Sequence, residues 1–290
     1  MSPILARTRL GISAARRSLP SPVVLVPTMG ALHEGHRALI RQAVGLSQPN
    51  GAVVVSIFVN PLQFAAGEDL DRYPRTLDSD IALCGAEGAA VVFAPSAAHM
   101  YPREQAVTVD PGRIGDVLEG AARPGHFAGV LTVVLKLLEL TRPDVAVFGE
   151  KDAQQLALVR RMTEDFAMRV TIASVATVRD ADGLAMSSRN RYLSPAERAT
   201  ALALPRALTA GSAARRGGPE AVLAAARQVL DEAATMSPPL TLGYLALVDP
   251  ETFEPVAPVA TGEAVLAVAA TVGTTRLIDN MRLTMGGGPG

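Results

Sequence analysis

Along the first part of the chain, short apolar runs rich in β-branched residues alternate with longer stretches in which apolar positions recur every three or four residues. Val23 to Val26, Ala52 to Val59, Val91 to Ala94, Val145 to Phe148 and Thr171 to Ala176 read as buried strands, and Gln105 to Val109 as a further short one. Between them, helical periods run through Leu39, Ile40, Ala43, Val44 and Leu46, from Thr76 to Glu87, and from Val130 to Leu140 before Pro143. Alternating strands and helices predict a parallel sheet covered on both faces. The N-terminal residues predict an amphipathic helix that packs through Ile4, Leu5, Leu10, Ile12 and Leu19.

The later pattern differs. Ser194-Pro195-Ala196-Glu197 is a capping box with proline at the first helical position. Helices from about Ala196 to Ala214 and Glu220 to Ala234, then strands Leu242 to Val248, Ala264 to Ala270 and Thr275 to Asp279, predict a smaller α+β unit. The domain boundary is expected near Val175 to Val178, giving domains 1–176 and 177–290. The glycine-rich end from Met285 to Gly290 is expected to be disordered.

The first strand runs into Pro27-Thr28-Met29-Gly30-Ala31-Leu32-His33-Glu34-Gly35-His36, a strand-to-helix corner. Strand ends of a parallel sheet open onto a crevice, and the following helix points its first N–H groups and positive dipole end there, which favours phosphate. His33 and His36 share one face of the first turn, with Gly35 between them, so both can donate to phosphate oxygens. Two plainer readings stay open: capping or surface histidines, and half of a zinc site. With 4 His and 1 Cys in the chain, no third ligand stands nearby at a zinc spacing.

Composition narrows the class. The 290 residues, 49% hydrophobic, suffice for one large or two modest packed domains, and no apolar run reaches a membrane span. Lys+Arg 27 against Asp+Glu 28 gives a formal charge of −1, with no overall pull toward nucleic acid or anionic lipid. Small-molecule partners are expected. Cys84 is alone, so no internal disulfide can form, and it reads as a small core residue. Arg7, Arg9, Arg16 and Arg17 without acids overlap with transit-peptide composition, but no apolar region or cleavage site follows, and a cytoplasmic location is expected.

Other positions carry candidate chemistry. Gln63 follows the strand ending near Asn60-Pro61, where its amide can donate and accept, although a loop glutamine in water is the plainer reading. Asp78 and Asp80 fall in a first helical turn, where carboxylates ordinarily complement the dipole. Gly149-Glu150-Lys151-Asp152 is a second strand-to-helix corner, and Lys151 there runs against the dipole, with Gln155 four residues on sharing its helical face. Met186-Ser187-Ser188-Arg189-Asn190 sets two hydroxyls and a guanidinium in a polar loop able to close on phosphates.

His33-Glu34-Gly35-His36 resembles the H-x-G-H signature of the nucleotidyltransferase superfamily. Joined in order by Ser56-Ile57-Phe58-Val59-Asn60-Pro61-x-Gln63-Phe64, Tyr73-Pro74-Arg75-Thr76, Gly149-Glu150-Lys151-Asp152 and Met186-Ser187-Ser188-Arg189-Asn190, the chain from about residue 20 to 282 closely resembles the pantothenate synthetase (pantoate:β-alanine ligase) family. The resemblance implies a Rossmann-like N-terminal domain binding ATP and pantoate, a C-terminal lid domain, a homodimer and Mg2+. It further implies condensation of (R)-pantoate with β-alanine through a pantoyl adenylate, releasing AMP and pyrophosphate. Carried over by residue, the ATP site is Met29, Gly30, Ala31, Leu32, His33, Glu34, Gly35, His36, Gly149, Glu150, Lys151, Asp152, Val178, Met186, Ser187, Ser188 and Arg189. His36, His33, Lys151 and Arg189 form the catalytic set, with His36 the proton donor; Gln63 and Gln155 meet pantoate, and Gln63 also β-alanine.

There are departures from the family pattern. Its acidic pair associated with magnesium reads Ser79-Asp80 here and a further polar position is Leu83, which leaves Asp80 as the metal contact carried over. Ala176 stands where relatives have proline. A class I aminoacyl-tRNA synthetase is the rival enzyme reading, because Met186-Ser187-Ser188-Arg189 resembles that family's lid loop, but a pI near 6.4 offers no tRNA surface. A catalytically silent nucleotide sensor is the rival from another class, and His36, Lys151 and Arg189 argue against it.

Overall fold

The computed structural model describes residues 2–65, 67–258 and 261–286. Residues 287–290 of the glycine-rich end lie outside the described residues; Met285 closes a strand. Two compact units are formed. One comprises Met1–Asp116, Arg123–Glu150 and Leu158–Ala176, the other Val117–Ala122, Lys151–Ala157 and Thr177–Gly290.

The first unit is built on six parallel strands, β1 (Ile4–Ala6), β2 (Val23–Thr28), β3 (Ala52–Ile57), β4 (Val91–Phe93), β5 (Val145–Gly149) and β6 (Thr171–Val175), in the order β1-β4-β3-β2-β5-β6. Strand side chains alternate between faces, and both faces are apolar here. Val24, Val26, Val53, Val55 and Val92 pack with Ile40, Ala43 and Cys84 of the helices Glu34–Ser47 and Leu77–Ala86. The intervening Val23, Leu25, Val54, Val91 and Phe93 are buried as well. Helix His126–Thr141 packs on β2 and against helix Arg9–Ser18. This is the Rossmann-like α/β arrangement.

The N-terminus departs from its expected form. Ile4 and Leu5 lie in edge strand β1, the helix starts only at Arg9, and Leu10 is 85% exposed while Ile12 alone of the named positions is fully buried. Residues 105–109 form no strand: helix His126–Thr141 meets them through side chains, Lys136 Nζ to Gln105 Oε1 and Val109 N–H to Thr132 Oγ1.

In the second unit, β7 (Leu240–Val248), β8 (Gly262–Val272) and β9 (Thr275–Met285) form an antiparallel sheet in that order. Ala264, Leu266, Val268, Ala270 and Val272 of β8 share a core with Leu204, Leu208, Val222, Ala226 and Leu230 of helices Ala203–Ala213 and Pro219–Ala233. The single helix expected from Ala196 to Ala214 is two, Pro195–Ala201 and Ala203–Ala213. Pro205 has no N–H to give the Ala201 carbonyl, which breaks the ladder just before it.

Two short segments join this unit from the middle of the chain. Arg276 on β9 pairs with Glu119 at 2.7 Å, and Asn280 Nδ2 donates to the Lys151 carbonyl at 2.7 Å. Gln154 ties them together, its Oε1 accepting from Glu119 N–H and its Nε2 donating to the Val117 carbonyl. Lys151, Asp152 and Gln155 therefore belong to the second unit.

Candidate active site

After β2 the chain turns through Gly30 and Ala31, both left-handed at φ +84° and +51°. A Cβ on Gly30 would stand 3.0 Å from both Asp80 Oδ2 and Ile57 Cγ2, tight contacts that add to the strain a side chain meets at this positive φ. The left-handed alanine costs about 1 kcal/mol, and a carboxylate holds it in place. Asp80 Oδ2 accepts the Ala31 N–H at 3.0 Å and Oδ1 the Leu32 N–H at 2.9 Å. The Thr76 hydroxyl, 3.2 Å from each oxygen, completes the clamp.

The helix Glu34–Ser47 opens on a reciprocal cap made of imidazoles. His33 Nδ1 accepts the Gly35 N–H, and His36 Nδ1 accepts the His33 N–H, both at 3.2 Å. A ring nitrogen that accepts from an amide carries no proton, so the His36 ring, bonded through Nδ1, keeps its proton on Nε2. Their centroids lie 4.1 Å apart. Burial, and secondarily the neighbouring His33, pull the His36 pKa down from 6.5 to about 3. Of the first-turn N–H groups expected to face phosphate, the imidazoles take that of Gly35, together with the N–H of the cap residue His33 itself. Glu34 turns outward to Arg41 at 2.6 Å.

Gln63 ends a short 3₁₀ turn, Pro61–Gln63, after β3 and is buried rather than in water. Its Nε2 donates to Met29 Sδ at 3.2 Å, and its Oε1 accepts from Asn60 Nδ2 at 3.1 Å. Its carbonyl accepts from His126 Nδ1 at 2.8 Å and from Arg123, which forms an ion pair with Glu68 at 2.6 Å. Helix His126–Thr141 approaches this turn closely at Gly129, where a Cβ would fall 2.1 Å from the Leu62 carbonyl oxygen.

Asp80 does not fit the metal contact expected of it. The residue is 3% exposed, and both its oxygens are taken by the Ala31, Leu32 and Thr76 donors. Among the described residues no group of three or more His, Cys, Asp and Glu side chains could hold a metal. Ser79 gives its hydroxyl to the Thr76 carbonyl. Asp80 is a loop clamp.

At the second corner, Gly149 closes β5 and Glu150 Oε1 accepts from the Ser174 hydroxyl at 2.8 Å. Lys151 lies in the 3₁₀ turn Glu150–Asp152 that runs directly into helix Ala153–Asp165, which carries Gln155. Its carbonyl is fixed by Asn280, while its ammonium makes no hydrogen bond or ion pair among the described residues. Asp152 is exposed and Gln155 half-buried.

Elsewhere in the second unit, a tight antiparallel turn brings Val178 beside Met186, whose N–H donates to the Val178 carbonyl at 2.9 Å. The Arg179–Ala185 bridge and Gly183 at φ +93° shape it, and a two-pronged Arg179–Asp279 pair anchors it to β9. Ser187 then caps a 3₁₀ turn, Ser188–Tyr192, by accepting the Arg189 N–H at 3.2 Å.

The expected residues thus assemble as Met29 to His36 with Gln63 in the first unit, and as Val178 with Met186 to Arg189 in the second. Sequence reading missed their supports: Asn60, Arg123, His126, Tyr101 and Asn280. Asn60 stood inside a quoted motif without a role, and the others act over long separations that leave no local pattern.

Comparison with known proteins now decides the family, since the model for pantoate-beta-alanine ligase matches residues 5–282. The chain belongs to that family. The family's activity, ligation of pantoate and β-alanine using ATP, is therefore this chain's activity. A pantothenate synthetase of Thermobifida fusca is 60% identical over 290 residues, covering 98% of this chain and 97% of the relative. The crystal structure of a Thermus thermophilus pantothenate synthetase aligns with a TM-score of 0.87 at 44% identity, covering 96% of this chain and 98% of that one. A pantoate-beta-alanine ligase of Francisella tularensis, solved with beta-gamma ATP and β-alanine, aligns with a TM-score of 0.78 at 33% identity over 96% of this chain and 97% of that one. No helix among the described residues is long and apolar enough to cross a membrane.

Proposed function

We propose that this ligase works through a pantoyl adenylate. A carboxylate oxygen of (R)-pantoate attacks the α-phosphorus of ATP, the bond to the bridging oxygen breaks, and pyrophosphate leaves with the electron pair. The neutral amine of β-alanine then attacks the acyl carbon, AMP leaves from it, and the amine proton passes to solvent. Negative charge grows on phosphoryl oxygens in the first step, and placed donors are the means of lowering that barrier.

The observation that carries the reading is the imidazole cap, which commits both Nδ1 atoms to the backbone and leaves the neutral His36 ring its Nε2–H to donate. His36 acts on phosphate as a hydrogen-bond donor, because a pKa near 3 leaves it uncharged at neutral pH. Lys151 supplies an ammonium held by its own main chain, and Arg189, Ser187 and Ser188 supply a guanidinium and hydroxyls. ATP contacts comprise Met29 to His36, Gly149 to Asp152, Val178 and Met186 to Arg189; Gln63 and Gln155 hold pantoate. Asp80 does not fit as a ligand to the family's magnesium, and no step here is routed through a metal.

The test is isotope exchange between pyrophosphate and ATP. Exchange that requires pantoate and proceeds without β-alanine is expected; its absence with all components active rules out the adenylate. The reading includes a homodimer, checked by sedimentation, and a cytoplasmic location, checked by fractionation.

A further inference from the structure

The amide of Gln63 has two possible orientations, and the residues around it permit one. Asn60, 1% exposed, is fixed by the main chain on both sides. Its Oδ1 accepts the Leu62 N–H at 3.3 Å, and its Nδ2 donates to the Gly129 carbonyl at 3.1 Å. A carbonyl cannot donate and an amide N–H cannot accept, so Asn60 cannot be turned over. Its Nδ2 then has only an acceptor to meet in Gln63, which must be Oε1. The Gln63 amide oxygen is thereby committed inward, and what it offers a ligand is Nε2, with one N–H on the weak Met29 sulfur and the other without a protein partner among the described residues.

The same logic runs one residue further back. The Tyr101 hydroxyl, 2.9 Å from Asn60 Oδ1, must be the donor. Burial pushes the Tyr101 phenol well above its ordinary pKa, so it keeps its proton across the working range. Its ring packs on Phe58 at 6.0 Å and under the Lys136 ammonium at 4.5 Å, contacts that do not involve the hydroxyl.

We propose that Gln63 meets its substrate through an N–H of Nε2 and that Tyr101, acting through Asn60, is a positioning residue that reinforces the polarity the main chain imposes on Asn60. The inference rests on the reading that Gln63 contacts pantoate. It selects a carboxylate or hydroxyl oxygen of the acid as the atom Gln63 touches and selects against the ammonium form of β-alanine, which has only donors to offer. Gln63 accordingly recognises the acid and takes no part in moving the amine's proton.

Three variants test it, with pantoate and ATP KM, kcat and thermal unfolding measured for each. Gln63→Ala is expected to raise the pantoate KM about tenfold, the loss of a hydrogen bond to a charged group; an unchanged pantoate KM would remove Gln63 from the substrate and overturn the underlying reading. Gln63→Glu keeps the oxygen facing Asn60 but turns a charged acceptor outward. It is expected to bind pantoate more weakly than Gln63→Ala, and equal or tighter binding overturns the donor polarity while leaving the contact intact. Tyr101→Phe keeps the ring and removes the hydroxyl, and should raise the pantoate KM about threefold to tenfold with the ATP KM and unfolding midpoint unchanged. An unmoved pantoate KM, or a rise shared equally by ATP, overturns the role of Tyr101.

Discussion

After β2 the chain turns through left-handed residues into a helix that two imidazoles cap reciprocally and whose loop is clamped by a buried carboxylate. After β5, the strand beside it, the chain turns through a 3₁₀ step in which only the main chain is tied, by Asn280, and the Lys151 side chain is left unbonded among the described residues. One corner holds its donors rigid and neutral. The other places an ammonium that makes no hydrogen bond or ion pair among the described residues. Rigid neutral donors set geometry at little desolvation cost, whereas an ammonium gains most where charge develops. The contrast predicts that losing Lys151 costs chemistry and that disturbing the imidazole corner costs structure first.

The largest expected effect is on Lys151. Lys151→Ala should lower kcat about a hundredfold, the scale of removing one preorganised donor to a developing charge, with the unfolding midpoint little changed because no hydrogen bond or ion pair of the side chain is lost among the described residues. Single-turnover measurement at saturating ATP checks it. Near-normal turnover would remove Lys151 from the chemistry and erase the distinction between the corners.

Much of this contrast lies outside what local sequence pattern carries. The β2 corner was legible because a β-branched run, a Gly-containing turn and a helical period occur in succession, and the doubly covered sheet followed from the same alternation. Asp80 was legible only as a first-turn carboxylate, since the N–H groups it holds lie 48 and 49 positions earlier. Lys151 was expected with the parallel sheet; a side chain 129 positions later anchors it instead. Strand β1 escaped because three residues, two of them exposed, carry no period. The helix break before Pro205 was readable from the missing N–H alone.

Asp80 offers the next effect in size. Asp80→Asn keeps the shape but puts an NH2 group against one of two buried backbone donors, Ala31 or Leu32. The expected loss is about 2–3 kcal/mol, the worth of a charge-assisted bond together with an orphaned N–H, read by denaturant unfolding. The magnesium concentration that half-saturates turnover should not move. A shift in it with stability unchanged would restore Asp80 as a metal contact and undo its role as a clamp.

The smallest expected effect belongs to His36 and is a dependence of stability on pH. Its pKa is 6.5 when unfolded and about 3 when folded, so between these values the unfolded chain binds the extra proton. Stability from this group is fully present above pH 6.5 and is lost as pH falls toward 3. Protonation of Nδ1 would also break the bond from the His33 N–H and open the cap. Between pH 7.5 and 5.5 the loss amounts to about 1.4 kcal/mol, one decade of the unfolded-state titration. Comparing wild type with His36→Asn over that interval isolates the contribution from the other histidines, because the variant lacks only this titration. Equal pH slopes in the two proteins would mean that His36 keeps its ordinary pKa in the folded state, so that neither burial nor the bond from the His33 N–H holds the ring neutral and the contrast with the Lys151 corner loses its basis.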